Sequence, residues 1–176
     1  MRLPFFRSRS PRREYLVRRD IDAADHPAPP PPLQPRELVD VIGVGRTETV
    51  GGVAVTLLSL ERYREGHVVL FRMFRHRKRS EGDMPMPHFE LAVSPESSTP
   101  YRFWMMGGTG AGGVEGEMEY RQAYAIAPAP PSDGREIVIA VSEVLWKRYG
   151  AGTYKVVAVD TGPWRFTVSA RRELRP

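Results

Sequence analysis

The chain is 176 residues long, contains no cysteine and carries a formal net charge of +5 at pH 7. That length favours one domain, or one domain behind a tail. The missing cysteines exclude zinc–thiolate sites, disulfide frameworks and thiol nucleophiles, and they fit a reducing compartment. No apolar run approaches the roughly 18 residues of a membrane-spanning helix. Residues 3–6 are too short for the apolar segment of a signal peptide, so a cytoplasmic protein is expected.

The positive charge is concentrated at one end. Residues 1–20 hold seven arginines (Arg2, Arg7, Arg9, Arg12, Arg13, Arg18 and Arg19) against Glu14 and Asp20, whereas the rest balances 19 basic residues with 19 acidic ones. Residues 1–35 therefore read as a basic arm, disordered or extended, and residues 36–176 as the folded domain. Within the arm, Ser10 and Pro11 form a helix-start pair. A short helix over 11–24 would align Val17, Ile21 and Ala24 and set Glu14 one turn from Arg18. About 14 residues are marginal for a lone helix in water, so this helix is expected to form on a partner. Residues 26–35 contain six prolines, a polyproline spacer that suits neither a helix interior nor a sheet ladder.

From residue 36 the hydrophobic period becomes two. Val69, Phe71 and Met73 alternate with other residues, as do Phe89, Leu91 and Val93, then Ile137, Ile139 and Val141, and finally Trp164, Phe166 and Val168. Half-buried strands produce this pattern because successive side chains point to opposite faces. Gly, Pro and Asp clusters punctuate it. Eight or nine strands are predicted, over 38–44, 53–63, 67–75, 88–94, 101–106, 116–126, 136–146, 153–159 and 164–169, with a glycine loop at 107–113. Short strands at this spacing predict an all-β, two-sheet sandwich, a barrel being the alternative. About 140 residues suffice to bury roughly two-thirds of the unfolded surface without a metal or disulfide.

The turn and core residues carry a resemblance. Gly45, Thr47, Thr49, Gly51, Gly52, Val53, Val55 and Thr56, followed by Ser59, Leu60, Glu61, Tyr63 and Gly66, resemble the GVTVT strand and (S/T)-V-E-x-Y-x-D-G hairpin of immunoglobulin-like domains in uncharacterised bacterial proteins. Gly162, Pro163, Trp164 and the prolines of 128–131 fit the same pattern. The resemblance spans roughly 41–169 and implies an immunoglobulin-like sandwich. It implies no activity.

Catalytic patterns fail one by one. Residues 108–113 spell G-x-G-x-x-G, but a dinucleotide site needs a helix directly behind the glycines, and the alternation of Met118, Tyr120, Gln122, Tyr124 and Ile126 is that of a strand. No serine stands in a nucleophile elbow. Glu61 beside Tyr63 reads as a strand-end charge or a carboxylate held by an arginine. His67, His76 and His88 read as solvated loop histidines, and His26 lies in the spacer; no metal, cofactor or small-molecule ligand is expected.

The expectation is a non-enzymatic interaction or accessory domain that docks onto a protein partner. Its arm is the binding element, through Phe5, Phe6, Arg7, Arg9, Arg12, Arg13, Val17, Arg18, Arg19 and Ile21, and a segment of this kind folds as it binds. A nucleic-acid reading would use the arm together with Arg75, Arg77, Lys78 and Arg79, where each phosphate contact steepens the salt dependence. An anionic membrane surface is a third partner for the arm. Trp104, on a strand apolar on both faces, is expected to be buried by a neighbouring segment, a partner interface being the alternative.

Overall fold

The computed structural model describes residues 34–76, 85–95, 97–112, 117–130, 136–150 and 153–169. The arm, its helix over 11–24 and the basic residues Arg77, Lys78 and Arg79 lie outside these. The described residues form eight strands and no helix: β1 (Leu38–Val50), β2 (Val53–Tyr63), β3 (His67–His76), β4 (Met86–Ser94), β5 (Arg102–Gly112), β6 (Glu117–Ala127), β7 (Glu136–Gly150) and β8 (Thr153–Ser169).

All pairings are antiparallel. One sheet has five strands in the order β1-β2-β3-β6-β5, the other three in the order β4-β7-β8. The β1–β2 turn is made by Gly51 and Gly52 at φ 58° and 83°, and a two-residue hairpin turn with both positions left-handed is one that glycine adopts without strain.

The alternation fixed by the sequence is the alternation of burial. Val69, Phe71 and Met73 of β3, Ile137, Ile139 and Val141 of β7, and Trp164, Phe166 and Val168 of β8 are all almost fully buried. Phe71 reaches across the gap between the sheets, its ring 5.3 Å from Phe89 and 6.0 Å from Phe166. Polar contacts also join the layers. The Trp164 indole N–H donates to the Val53 carbonyl at 3.0 Å. At the Arg75 end, the Trp146 N–H donates to Asp160 at 2.7 Å, while the Arg75 guanidinium lies 4.3 Å over the Trp146 ring and 3.3 Å from the same carboxylate.

Three expectations are corrected. The predicted strands 153–159 and 164–169 are one strand, β8, because Gly162 passes so close to β7 that a Cβ there would stand 2.6 Å from the Val141 carbonyl oxygen. The predicted loop at 107–113 is strand as far as Gly112. His67 is not solvated: it is 2% exposed.

Two substitutions test this packing. Trp164→Ala is expected to cost about 3–5 kcal/mol, as large buried aromatics do. Gly162→Ala is expected to cost about 1–3 kcal/mol by forcing strand β8 off β7. Chemical denaturation measures both, and an unchanged midpoint for either would contradict the inward face assigned to β8.

Candidate functional site

His67 combines burial with an absence of partners. It closes the inner face at the end of β3, opposite Arg62 of β2 and Ile126 of β6. Neither ring nitrogen has a hydrogen-bond partner, nor has the Arg62 Nε, while the Arg62 head lies 3.9 Å from Asp40. Burial, helped by the Arg62 charge, lowers the His67 pKa to about 4. Among the described residues, then, no donor or acceptor orients this imidazole, as a general base requires. Glu61 is equally occupied, accepting from the Tyr63 hydroxyl at 2.9 Å. Among the described residues no group of three or more His, Cys, Asp or Glu is placed to hold a metal ion.

The strand edges are more informative. Two open sheets have four edges, each with a row of N–H and C=O groups that need partners. The β4 edge is closed by side chains from β6: Gln122 Nε2 donates to the Pro87 carbonyl, the Phe89 N–H donates to the Tyr124 hydroxyl at 2.8 Å, and that hydroxyl donates to Gln122 Oε1 at 2.9 Å. Burial pushes the Tyr124 phenol well above its ordinary pKa, so it remains a donor. β1 and β8 lie against each other on the far flank. Both carry the usual guards: register shifts and the charges Asp40, Arg46 and Glu48 on β1, and Lys155, Pro163 and Arg165 on β8.

β5 differs from all three. Its one charge is Arg102 at the end, it contains no proline, its one irregularity is a register shift between Met105 and Gly107, and Met105 and Met106 are 41% and 46% exposed. Its glycine half is a strand because β6 covers it. Gly110 stands opposite Tyr120, and a Cβ there would meet Tyr120 Cε1 at 2.9 Å. The ring lies over the bare backbone and supplies the packing that glycine lacks. At Gly107, by contrast, a Cβ would meet nothing within 4 Å.

Beside this edge, the outer face of the five-stranded sheet carries a groove of about 260 Å³, lined by Leu58, Leu70, Ala123, Thr109 and Arg121. That is below the ~300–1,000 Å³ of pockets that enclose small molecules. Trp104 faces outward with it, half-buried, in register with the buried Ala125 and Val68. Of the basic residues expected to bind, Arg75 is described, and it is engaged with Trp146 and Asp160. The exposed pair Tyr149 and Tyr154 at the β7–β8 turn is closed on itself, with Lys147 4.4 Å over the Tyr154 ring.

No family model matches this chain, and no curated protein matches it. A solved structure, the conserved domain protein from Bacillus anthracis, is similar at 10% identity and a TM-score of 0.48, covering 75% of this chain and 49% of that one. The chain thus spans about half the length of that protein.

Two predictions follow from the geometry. Gly110→Val is expected to destabilise by about 1–3 kcal/mol because its side chain would displace the Tyr120 ring, and thermal melting measures it. The second concerns acid. Folded His67 resists protonation down to about pH 4, whereas in the unfolded chain it takes up a proton below about pH 6.5. Stability from this group is therefore full above pH 6.5 and declines toward pH 4, by up to about 3 kcal/mol. His88, held low by burial and Lys147, acts in the same direction. His67→Leu should flatten most of that slope in melts from pH 7 to 4; a wild-type slope would contradict the assignment.

Proposed function

We propose that this chain is a non-enzymatic interaction domain that takes an extended segment of a protein partner as an added strand on β5. The observation that carries the reading is that, of the four sheet edges, β5 alone among the described residues has a single formal charge, no proline and no side chains closing its backbone, its one irregularity being the register shift between Met105 and Gly107. Strand addition draws its affinity from main-chain hydrogen bonds that such an edge offers ready-made.

The sandwich in this reading is immunoglobulin-like. With β1 set aside, the orders β2-β3-β6-β5 and β4-β7-β8 correspond to the four- and three-stranded sheets of the constant-type domain, which supports the resemblance carried by the turn residues. The basic arm is a second binding element in the same proposal, and its seven arginines also support a nucleic-acid reading in which the arm neutralises phosphates.

The test compares three proteins: full length, full length with Met105→Lys and Met106→Lys, and residues 36–176. Lysines on an edge strand block pairing with another chain. A stoichiometric protein partner should bind the first protein and lose about tenfold or more in affinity for the second, the factor that ~1.4 kcal/mol represents. Amide exchange in β5 should slow in the complex. Equal binding to the lysine variant would refute the edge. Nucleic-acid binding that the truncation abolishes, with a steep salt slope, would favour the arm reading instead.

A further inference from the structure

We infer that the strand docked on β5 carries a large apolar side chain opposite Gly107 and an acidic residue toward Arg102; this rests on β5 being the docking edge. Register rows cross the outer face of the five-stranded sheet at right angles to the strands. One row runs Leu70, Ala123, Gly107, with Leu58 of β2 lining the same groove beyond Leu70. Side-chain height falls along it from leucine to alanine to hydrogen. The row is a ramp that opens onto the free edge.

Its walls are the neighbouring rows. Val68, Ala125 and Trp104 stand on one side, and Arg72, Arg121 and Thr109 on the other. Val68 and Ala125 are buried in their row, and on the other side Thr109 and Arg121 line the groove beside the small Ala123. The groove measured on this face, lined by Leu58, Leu70, Ala123, Gly108, Thr109 and Arg121, holds about 260 Å³, the scale of one large side chain, and Gly107 lies beside it at the edge, paired with Ala123. In strand addition, alternate side chains of the incoming segment point to this face, and pockets for them set specificity. A side chain placed opposite Gly107 lies across the bare backbone, over Ala123, toward Leu70 and Leu58.

Charge settles the other half. Arg102 is the single formal charge of β5, faces outward in line with Trp104, is exposed, and makes no ion pair with any described residue. A carboxylate on the docked strand at that end meets an unengaged guanidinium. A second copy paired through its own β5 does not supply it, because β5 has no acid. The occupant is a different polypeptide, apolar at one position and acidic toward the Arg102 end.

The experiment selects a library of displayed random decapeptides on the immobilised full-length chain and follows amide exchange of the complexes. Selected peptides should slow exchange in β5 and share one large apolar residue with an acid several positions away. Gly107→Val fills the mouth of the ramp and should weaken them by about tenfold or more, the value of burying one large side chain, with its melting temperature unchanged. Ala123→Leu, filling the floor, should act alike should the first variant melt early. Arg102→Glu should weaken binding about two- to fivefold, less at high salt, as exposed pairs do. Peptides that protect β5 without side-chain preference, and that tolerate Gly107→Val, overturn this inference and leave the docking edge standing. Peptides that bind without protecting β5, or a selection that enriches none, overturn both.

Discussion

Everything in this domain answers one constraint: a pair of open antiparallel sheets must find partners for four rows of edge amides and carbonyls. Burying apolar area between the sheets is the easier half, since alternation supplies it along every strand. The edges are the harder half, because an unpaired backbone group costs free energy wherever water is excluded and invites another chain wherever it is not. Each edge is resolved differently here. β1 and β8 share a flank and carry charges, shifts of register and a proline. β4 is satisfied by the Gln122 and Tyr124 side chains. β5 is the edge that no described residue pairs or closes, with one register shift at Met105 and Gly107.

The β4 solution shows how closely the edges and the core are joined. Gln122 and Tyr124 are buried polar residues in a cluster of aromatic rings, and each would be costly there alone. They are affordable because they satisfy each other and the β4 backbone in one chain of hydrogen bonds. The same hydroxyl sits on a ring stacked against Phe89, 5.7 Å between centroids. One residue thus holds the edge of one sheet and the interior between both. His67, at the end of the same sheet, is the contrasting case: buried, unpartnered and held neutral, it contributes packing at the expense of acid tolerance.

The strand pattern was legible because its signal is local and strong: large apolar residues at every second position leave few alternatives to a half-buried strand. The core faces of β3, β7 and β8 were read correctly for that reason. What could not be read were features set by a neighbour far away in sequence. A run of glycines reads as a loop until Tyr120, eight or more residues on, is seen to lie over Gly110. His67 reads as a hairpin-edge histidine until the fold buries it between Arg62 and Ile126. The free edge of β5 is a property of strand order, and no residue of β5 announces which strand stands beside it. The outward aromatic at Trp104 was the one trace of it in the sequence, and the periodicity alone did not say which surface it served.

The glycines of β5 separate two kinds of smallness. Gly110 is small because its own domain requires it, the Tyr120 ring occupying the place of a side chain. Gly107 meets no such demand: a Cβ there touches nothing, and its backbone is not in the left-handed region where glycine is favoured. A glycine within a strand forgoes roughly 0.5–1 kcal/mol relative to alanine, so within the isolated domain this position is less stable than it could be. The groove over Ala123 gives that loss a physical use. In the proposed reading an incoming chain fills this space at the sheet edge, and filling it recovers packing that the described residues leave out.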